Sequence, residues 1–315
     1  MKKISVLVPV FNEEENVVNT YNALKQLLED VKSRYDHEII FTDNHSTDKT
    51  FTLLQTLAHT DKRLKAVSFS KNFGYQRSIY TAYLLSSGDA VIQIDCDLQD
   101  PPSMITEFIK KWEEGYAVVY GIRKCRREFW LMNIIRKLFY RLIAFLSEDN
   151  LPYDAGDFRL VDKKIVDELR KINDCSPYIR GLIASFGFEQ IGIPYERAKR
   201  KKGKSKFKFI ELLELAMDGI ANHSIIPLRL ATYFGLCTFI SAFSLLLLSV
   251  IGRVFFTQYF PRGFATTTVL ILFSLGLNAF FLGIIGEYIG RMYKQVKSHP
   301  IAIIDKMINF EFGNK

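Results

Sequence analysis

The sequence predicts an α/β domain with a mostly parallel β-sheet, followed by an interfacial amphipathic helix and two transmembrane helices. Over residues 1–125, short apolar runs alternate with amphipathic stretches of helical length. Strands and helices that alternate at this spacing are typical of a parallel sheet with helices on both faces. The last third of the chain instead contains two long runs without a charged residue. A chain of 315 residues has room for one such domain and for these additional segments.

Each strand is predicted from a short apolar run, and each helix from an amphipathic stretch between two such runs. The predicted strands are Ile4–Val10, Glu38–Thr42, Leu64–Phe69, Ala90–Ile94 and Ala117–Tyr120. The predicted helices are Glu14–Ser33, Asp48–Ala58, Gln76–Ser86 and Ser103–Glu114. In sheets of this kind, ligands bind beyond the carboxyl ends of the strands, so polar residues at those ends are the first candidates for a site.

The composition indicates an anionic partner and a reducing environment. Lys and Arg number 42 against 34 Asp and Glu, a net charge of +8, which suits nucleic acid, a membrane surface or phosphorylated substrates. The cysteines form no C-x-x-C pair and lie far apart, so we expect reduced thiols rather than a disulfide framework. The five histidines are scattered, which argues against a histidine metal site. The apolar run Ile4–Val10 is too short for a signal peptide.

Two uncharged runs, Leu230–Gly252 and Gly263–Gly286, are each long enough to cross a bilayer core. The loop between them carries only Arg253 and Arg262, whereas Arg197–Lys208 is dense in Lys and Arg and more basic residues follow the second run. The positive-inside rule then places the large domain and both termini in the cytoplasm. The alternative, two buried core helices of a soluble protein, is disfavoured.

Two segments that mix apolar and charged residues, Phe207–Ala221 and Arg126–Phe145, are candidates to lie in the headgroup plane of a membrane. The alternative for each is an ordinary helix packed on the sheet. For Phe207–Ala221 the membrane-facing helix is favoured. For Arg126–Phe145 the membrane-facing helix and the helix packed on the sheet stay equally open. The expected division of the chain is a catalytic domain (1–204), a basic loop with an interfacial helix (205–228), a transmembrane hairpin (229–290) and a cytoplasmic tail (291–315).

The run Ile94–Pro102 is the most informative stretch, because three carboxylates lie within six residues just after a buried strand. Alternation along a strand projects Asp95 and Asp97 to the same side. Paired carboxylates repel one another unless a cation binds them, and oxygen ligands suit Mg²⁺ or Mn²⁺ with substrate phosphates. Taken alone, the D-x-D pattern is more often a solvated acidic loop after a strand.

Two earlier strand ends also carry candidates for nucleotide binding. The run Val8–Glu13 leaves a strand and enters a helix, whose N-terminal amides would suit a phosphate or nucleotide. Asp43 ends the next strand, where it can accept a hydrogen bond from a base or a ribose hydroxyl. Its alternative role is to cap the helix that follows.

These motifs together resemble the family 2 glycosyltransferases with a GT-A (Rossmann-like) fold, and among them the polyprenyl-phosphate glycosyltransferases. That group includes the bactoprenol glucosyltransferases and dolichyl-phosphate mannose synthases. The nucleotide turn of the family usually reads Asp-Asp-Gly-Ser or Asn-Asp-Gly-Ser, whereas this chain has His45 in place of the glycine. The resemblance is carried by VPVFNEEENV (8–17), the Asp43 turn, SKNFGYQRS (70–78), DCDLQDPP (95–102), GDFRL (156–160), RKKGKSKF (200–207) and GEYIGRMYKQVK (286–297).

The resemblance implies a set of site residues. The donor nucleotide would be bound by Pro9, Phe11, Glu13, Asp43, Asp95 and Arg200. The metal, Mg²⁺ or Mn²⁺, would be held by Asp95, Asp97 and Gln99. The acceptor phosphate or donor diphosphate would be bound by Arg123, Arg136, Lys204, Ser205 and Lys206.

Asp157 matches the position usually named as the catalytic base. A lipid monophosphate has a second pKa near about 6 and is already mostly dianionic at neutral pH, so it does not require deprotonation. Asp157 is therefore expected to be catalytic either as a base, by orienting the sugar hydroxyls, or by stabilising oxocarbenium-like charge. The alternative is a loop aspartate that pairs with Arg159.

The function that the resemblance implies is inverting transfer of one sugar, glucose from UDP-glucose, to undecaprenyl phosphate at the cytoplasmic face of the bacterial inner (plasma) membrane. The expected partners are the nucleotide sugar, the lipid and the membrane, but not nucleic acid. Homo-oligomers are possible, since glycines of the second run, from Gly276 to Gly290, allow close approach of helices. A processive polysaccharide synthase is an alternative, although neither Trp112 nor Trp130 lies in a Gln-x-x-Arg-Trp motif. A membrane-tethered nucleotide-binding protein without activity is another.

Overall fold

The chain forms an eight-stranded mixed sheet with helices packed on both faces, as seen in a computed structural model. Every strand and helix predicted within residues 1–125 is present, with ends shifted by a few residues. The structure describes residues 1–123, 155–172, 174, 177–197, 228, 231–238, 240–241, 243–244, 251, 264–297 and 300–310.

The strands and helices are numbered in chain order. The strands are Lys2–Val10 (β1), Tyr35–Asp43 (β2), Leu64–Phe69 (β3), Ala90–Gln93 (β4), Val118–Arg123 (β5), Ala155–Asp162 (β6), Gln190–Tyr195 (β7) and Ile304–Ile308 (β8). The helices are Val17–Val31 (α1), Thr50–Thr60 (α2), Tyr75–Leu85 (α3), Met104–Glu113 (α4), Lys163–Lys171 (α5), Ile179–Ser185 (α6) and Phe264–Val296 (α7).

The strand order across the sheet is β7-β5-β6-β4-β1-β2-β3-β8. Strands β1 to β5 and β7 run in one direction, while β6 and β8 run against their neighbours. The prediction of a mostly parallel sheet is therefore confirmed. The carboxyl ends of the parallel strands and the first residues of β6 meet at one edge, here called the carboxyl edge.

The central strand β1 is buried on both faces, as expected for a parallel strand covered by helices on either side. On one face, Val6 and Val8 belong to a core that includes residues of α1, α2 and α4. On the other face, Leu7 packs with residues of α3 and α5. The two cores fix the strands relative to one another and thereby fix the positions of the residues at the carboxyl edge.

Helix α7 covers the second predicted membrane span and is 33 residues long, about 50 Å at the usual rise per residue. Within the described part of the chain, it is the one helix long and apolar enough to cross a membrane, over Phe273–Gly290. Most of the first predicted span lies outside the described residues, although 231–238 are helical, so the two-span hairpin is not confirmed. The pairing of α7 glycines with a second copy stays a prediction. Large apolar side chains exposed on α7 include Leu270, Phe273, Leu275, Phe280, Leu282 and Ile289.

The C-terminal residues, predicted to be a tail, instead complete the sheet. Strand β8 pairs antiparallel with β3, and the amide of Ser70 donates to the carbonyl of Ile303 at 2.9 Å. The side-chain amide of Asn309 donates to the carbonyls of Ala58 and Leu64, both at 2.8 Å. The segment that follows α7 is therefore part of the same domain as residues 1–197.

Glu38 forms a buried polar centre that joins β1, β2 and β3. Its carboxylate is 1% exposed and lies 3.0 Å from the ammonium of Lys3 and 2.8 Å from that of Lys65. It also accepts hydrogen bonds from the Ser5 hydroxyl at 2.6 Å and the Ser87 amide at 2.8 Å. Burial alone would raise the pKa of Glu38, but these donors outweigh it and lower the pKa to about 2.

Replacing Glu38 by Gln should therefore destabilise the protein in a pH-dependent way. The pKa difference between the unfolded value of 4.5 and about 2 corresponds to about 3 kcal/mol. Because the folded pKa is the lower one, this stability is present above pH 4.5 and is lost as the pH falls towards 2. Urea unfolding of the full chain in detergent, at pH 7 and at pH 3, measures the difference in free energy of unfolding between wild type and Glu38→Gln.

Glu114→Gln is the matched control, because Glu114 pairs with Lys111 at 2.7 Å on the exposed surface. Exposed ion pairs contribute little, so this variant should unfold almost as the wild type does. If wild type and Glu38→Gln differed in free energy of unfolding by the same amount at both pH values, the lowered pKa of Glu38 would be contradicted.

Candidate active site

The described residues predicted for the site lie along the carboxyl edge. Asp43 ends β2, Asp95 follows β4, Arg123 ends β5 and Asp157 lies near the start of β6. The direction of each strand brings these positions together, although they are far apart in sequence. Five predicted residues lie outside the described residues: Arg136, Arg200, Lys204, Ser205 and Lys206.

Asp43 is buried in a tight turn at the end of β2. It accepts hydrogen bonds from the amide and hydroxyl of Ser46 and, at 3.1 Å, from the Ser68 hydroxyl. Burial raises the pKa of Asp43 in spite of these donors. His45 adopts the left-handed conformation with φ of 65°, which glycine adopts more readily. Its Nδ1 lies 3.0 Å from the Phe69 carbonyl, so the turn keeps the backbone geometry of a glycine turn while the imidazole contacts the end of β3.

The loops after β1 and β2 are joined by hydrogen bonds. The amide of Asn12 donates to the Ser46 hydroxyl at 2.8 Å, and the amide of Glu13 donates to the Thr50 hydroxyl at 2.9 Å. The side-chain carbonyl of Asn12 accepts from the Thr47 amide at 2.8 Å. The amides predicted to bind a nucleotide are thus used within the protein, and the two loops form one surface. On that surface Phe11 and Glu13 are partly exposed, whereas Pro9 is buried within β1.

The carboxylate of Asp95 is held by Tyr75, the first residue of α3. The phenol of Tyr75 donates to Oδ1 of Asp95 at 2.5 Å and accepts from the side-chain amide of Gln93 at 3.2 Å. Burial, with the nearby carboxylates of Asp100, Asp157 and Asp97, raises the pKa of Asp95 to about 6, although the Tyr75 hydrogen bond acts in the opposite sense. Such mutual repulsion between carboxylates favours the binding of a cation at this position.

Asp95 and Asp97 flank a buried residue, Cys96, whose carbonyl accepts from the Thr20 hydroxyl at 2.6 Å. Both acids are partly exposed, Oδ1 of Asp97 accepts from the Gln99 amide at 3.1 Å, and Leu98 has a φ of 53°. Within the described ranges, no group of three or more His, Cys, Asp or Glu side chains is placed to hold a metal. Two carboxylates, an amide oxygen and substrate phosphates nevertheless form a donor set that suits Mg²⁺ or Mn²⁺, so the residues fit such an ion.

The third acid of the run, Asp100, is buried and bound by other side chains of the protein. It is 1% exposed and accepts hydrogen bonds from the Tyr195 hydroxyl and, at 3.2 Å, from Nε of Arg197. A guanidinium nitrogen of Arg123 lies 3.7 Å from its other oxygen. The Arg123 guanidinium also lies against Gly156, where an added Cβ would be 3.2 Å from it. Asp100 therefore holds the ends of β5 and β7 against the acidic loop.

Asp157 forms a bidentate ion pair with Arg180 of α6. The Nε and one Nη of Arg180 lie 2.7 Å from the two carboxylate oxygens. Burial opposes ionisation, but Arg180, and less strongly Arg159 and Arg123, lower the pKa of Asp157. Arg159, the alternative partner, is buried and donates to the Gly156 carbonyl at 3.0 Å, while its charge acts on Asp157.

Three residues of this site were not predicted: Tyr75, Arg180 and Arg197. Tyr75 lies within the 70–78 motif and follows Gly74, whose φ of 93° precedes the helix, so its place in the motif was the available signal. Nothing in the sequence pattern distinguishes Arg180. With these residues added, the carboxyl edge has an acidic centre (Asp95 and Asp97) and a basic centre (Arg180 and Arg159, with Asp157 between them).

Comparison with known proteins identifies the family. A family model described as Glycosyl transferase family 2 matches residues 5–170. The chain is 38% identical over 308 residues to Uncharacterized glycosyltransferase YkcC of Bacillus subtilis, covering 98% of this chain and 94% of that protein. It is 36% identical over 307 residues to the SfII prophage-derived bactoprenol glucosyl transferase of Shigella flexneri, covering 96% and 98% of the two chains.

A solved structure of glucosyl-3-phosphoglycerate synthase from Mycobacterium tuberculosis, in complex with Mn²⁺, UDP and phosphoglyceric acid, matches with a TM-score of 0.48 and 20% identity. This match covers 70% of this chain and 76% of that one, and no conclusion about substrate or metal follows from it. The family model covers more than half of the chain, and the relatives named above align along nearly all of it. The chain therefore belongs to glycosyl transferase family 2, with the α/β, GT-A-like fold that its sequence predicts.

Proposed function

We propose that the protein transfers a single glucose from UDP-glucose, with inversion, to undecaprenyl phosphate at the cytoplasmic face of the bacterial inner membrane. Membership of the family makes the protein a glycosyltransferase. The observation that carries the finer proposal is the acidic centre beside a basic centre at one sheet edge, which suits a cation-bound diphosphate next to an anionic acceptor. The names of relatives such as the Shigella bactoprenol glucosyl transferase support glucose and a polyprenyl acceptor.

The acidic centre and the joined loops serve the donor in this proposal. Asp43 and the surface that includes Phe11 and Glu13 face the nucleoside, together with Arg200. Asp95, Asp97 and Gln99 hold Mg²⁺ or Mn²⁺, which would neutralise the charge that develops on the departing diphosphate. Tyr75 fixes Oδ1 of Asp95, while Oδ2 lies 4.0 Å from a guanidinium nitrogen of Arg197.

The acceptor supplies its own nucleophile. An oxygen lone pair of the phosphate dianion forms the new bond to the anomeric carbon, while the bond from that carbon to the β-phosphate oxygen breaks and its electron pair leaves with UDP. The dianion needs no base, because the second pKa of a phosphate monoester is about 6. Asp157 acts through charge and position in this step, and the basic residues Arg123, Arg136, Lys204, Ser205 and Lys206 guide the phosphates.

The path of the chain supports a membrane hairpin. Residues 1–197 and β8 belong to one sheet, so they lie on the same side of any membrane. If α7 crosses the bilayer once, the chain between Arg197 and α7 must also cross it an odd number of times. The predicted first span, Leu230–Gly252, supplies one such crossing, and the basic flanks favour the cytoplasmic side for the domain.

The first prediction concerns the metal ligands. Purified protein in detergent, given radiolabelled UDP-glucose, undecaprenyl phosphate and Mn²⁺ or Mg²⁺, should form labelled lipid. Asp97→Asn should lower the rate about 100-fold or more, because a cation ligand is lost. Asp167→Asn is the control, since Asp167 is exposed on α5 and pairs with Arg170. Absence of labelled lipid with every nucleotide sugar tried would overturn the proposed function, and full activity of Asp97→Asn would overturn the metal site.

The second prediction concerns topology. Of two reporters fused after Lys315, the one that is active in the cytoplasm should give a signal and the one that is active in the periplasm should not. The reason is that β8 lies in the same sheet as the proposed catalytic residues. Paired fusions of a cytoplasmic and a periplasmic reporter to the full chain measure this. Activity of the periplasmic reporter alone would place the domain on the other side.

The third prediction concerns Tyr75. Tyr75→Phe removes the donor to Asp95 and should weaken binding of UDP in the presence of Mn²⁺ about 10-fold, the usual effect of losing a hydrogen bond to a charged group. That hydrogen bond lowers the pKa of Asp95, so its loss raises a pKa already near 6 and leaves more Asp95 protonated. The defect in calorimetric affinity should therefore be larger at pH 6 than at pH 8.

Tyr83→Phe is the matched control for Tyr75→Phe. Tyr83 lies on the same helix, and its buried hydroxyl has no hydrogen-bond partner within the part of the chain that the structure describes. UDP affinity of this variant should equal that of the wild type. Equal losses in both variants would mean that Tyr75 acts by packing alone.

A further inference from the structure

The ion pair between Asp157 and Arg180 presents its positive member to solvent. Both oxygens of Asp157 accept hydrogen bonds from Arg180, and the Asp157 side chain is only 11% exposed. The Arg180 side chain is 34% exposed. A proton acceptor needs an accessible lone pair, whereas both oxygens of Asp157 accept from Arg180, whose guanidinium has further N–H groups that are not directed at Asp157.

The surroundings of this pair carry excess positive charge. Arg159 is buried below it, and within the described residues no carboxylate lies within ion-pair distance of Arg159. Its Nε atom is buried without a hydrogen-bond partner in that part of the chain. One carboxylate thus faces two guanidinium groups. Because buried charges are normally compensated, the cluster favours an additional anion at its exposed side.

The pair neighbours the acidic centre. The Tyr75 phenol donates to Asp95, and burial with the charges of Asp95 and Asp157 raises the pKa of this phenol, while Arg180 acts against them. The acidic centre follows β4, whereas Arg180 lies on α6, which leads into β7.

We propose that Arg180 binds the phosphate of the lipid acceptor, and that Asp157 is the positioning residue that holds the Arg180 guanidinium rather than a proton acceptor. This inference rests on the proposed function. Arginine suits the role because it can bind a carboxylate with one edge and a phosphate with its remaining N–H groups. The proposal assigns the donor diphosphate to the acidic centre and the acceptor phosphate to Arg180.

The test separates the two substrates by steady-state kinetics of the full chain in detergent. Initial rates of labelled lipid formation are measured while undecaprenyl phosphate is varied at saturating UDP-glucose. They are then measured while UDP-glucose is varied at saturating undecaprenyl phosphate. Arg180→Gln should raise the KM for the lipid about 10-fold or more while the KM for UDP-glucose changes less than about two-fold. Arg180→Lys keeps the charge and should recover part of the loss.

Arg170→Gln is the matched control, because Arg170 also pairs with a carboxylate, Asp167 at 2.6 Å, but contacts the end of α3 away from the carboxyl edge. Calorimetric binding of UDP with Mn²⁺ should be equal in all these variants, which shows that each is folded. If Arg180→Gln does not fold, Arg180→Lys decides the matter by the same comparison of the two KM values.

Asp157→Asn distinguishes a positioning residue from a base. Asp157→Asn should raise the KM for the lipid, because it releases the Arg180 guanidinium, while kcat at saturating lipid should stay within about 10-fold of the wild type. A fall in kcat of about 100-fold or more at saturating lipid would make Asp157 the base and overturn the proposal. A rise in the KM for UDP-glucose in Arg180→Gln, or an unchanged KM for the lipid, would also overturn it. No labelled lipid from the wild type would instead reject the proposed function.

Discussion

Repulsion among the carboxylates gathered at the carboxyl edge is the constraint on which the site depends. Asp95, Asp97, Asp100 and Asp157 lie close enough that each of the other three raises the pKa of Asp95. The protein neutralises two of them internally, with Arg197 and Arg123 at Asp100 and Arg180 at Asp157. Asp95 lies 4.0 Å from a guanidinium nitrogen of Arg197 and still has a raised pKa. Under the proposed function, a cation bound to the donor diphosphate would add positive charge beside these carboxylates.

The edge strand β8 links this site to the rest of the chain. It pairs with β3, and the residue that follows β3, Ser70, bonds to the residue that precedes β8, Ile303. The same loop continues through Gly74 to Tyr75, which holds Asp95. The segment that follows the apolar helix α7 thus supports the loop that positions a proposed metal ligand. The segment that follows α7 and the loop that carries Tyr75 are thus joined through one strand.

The first half of the fold was predictable because its signals are local. Strands β1 to β5 are short apolar runs separated by amphipathic helices, and each could be recognised without its partners. Strands β6, β7 and β8 were not predicted, since β8 is short and half-exposed and gains its conformation by pairing with β3 more than 200 residues away. Asp157 was found through a family motif, whereas Arg180 lies 23 positions away in a short helix without a distinguishing pattern. Asp100 belongs to the same acidic run as Asp95. Only the folded chain shows that the carboxylate of Asp100 is bound by Tyr195 and Arg197.

The antiparallel strand β6 explains how one sheet edge can hold two centres of opposite charge. Strand β6 lies between β4 and β5. A parallel strand in its place would bring its last residues to the carboxyl edge, and the side chains of the site would lie on the loop after it. Because β6 runs the other way, its first residues reach that edge, and Asp157 lies within the strand where its pairing with β5 shifts register. Arg180 can then be held rigidly from a helix that is only seven residues long. The reversal of one strand therefore brings Asp157, and with it the Arg180 guanidinium, to the same sheet edge as Asp95 and Asp97.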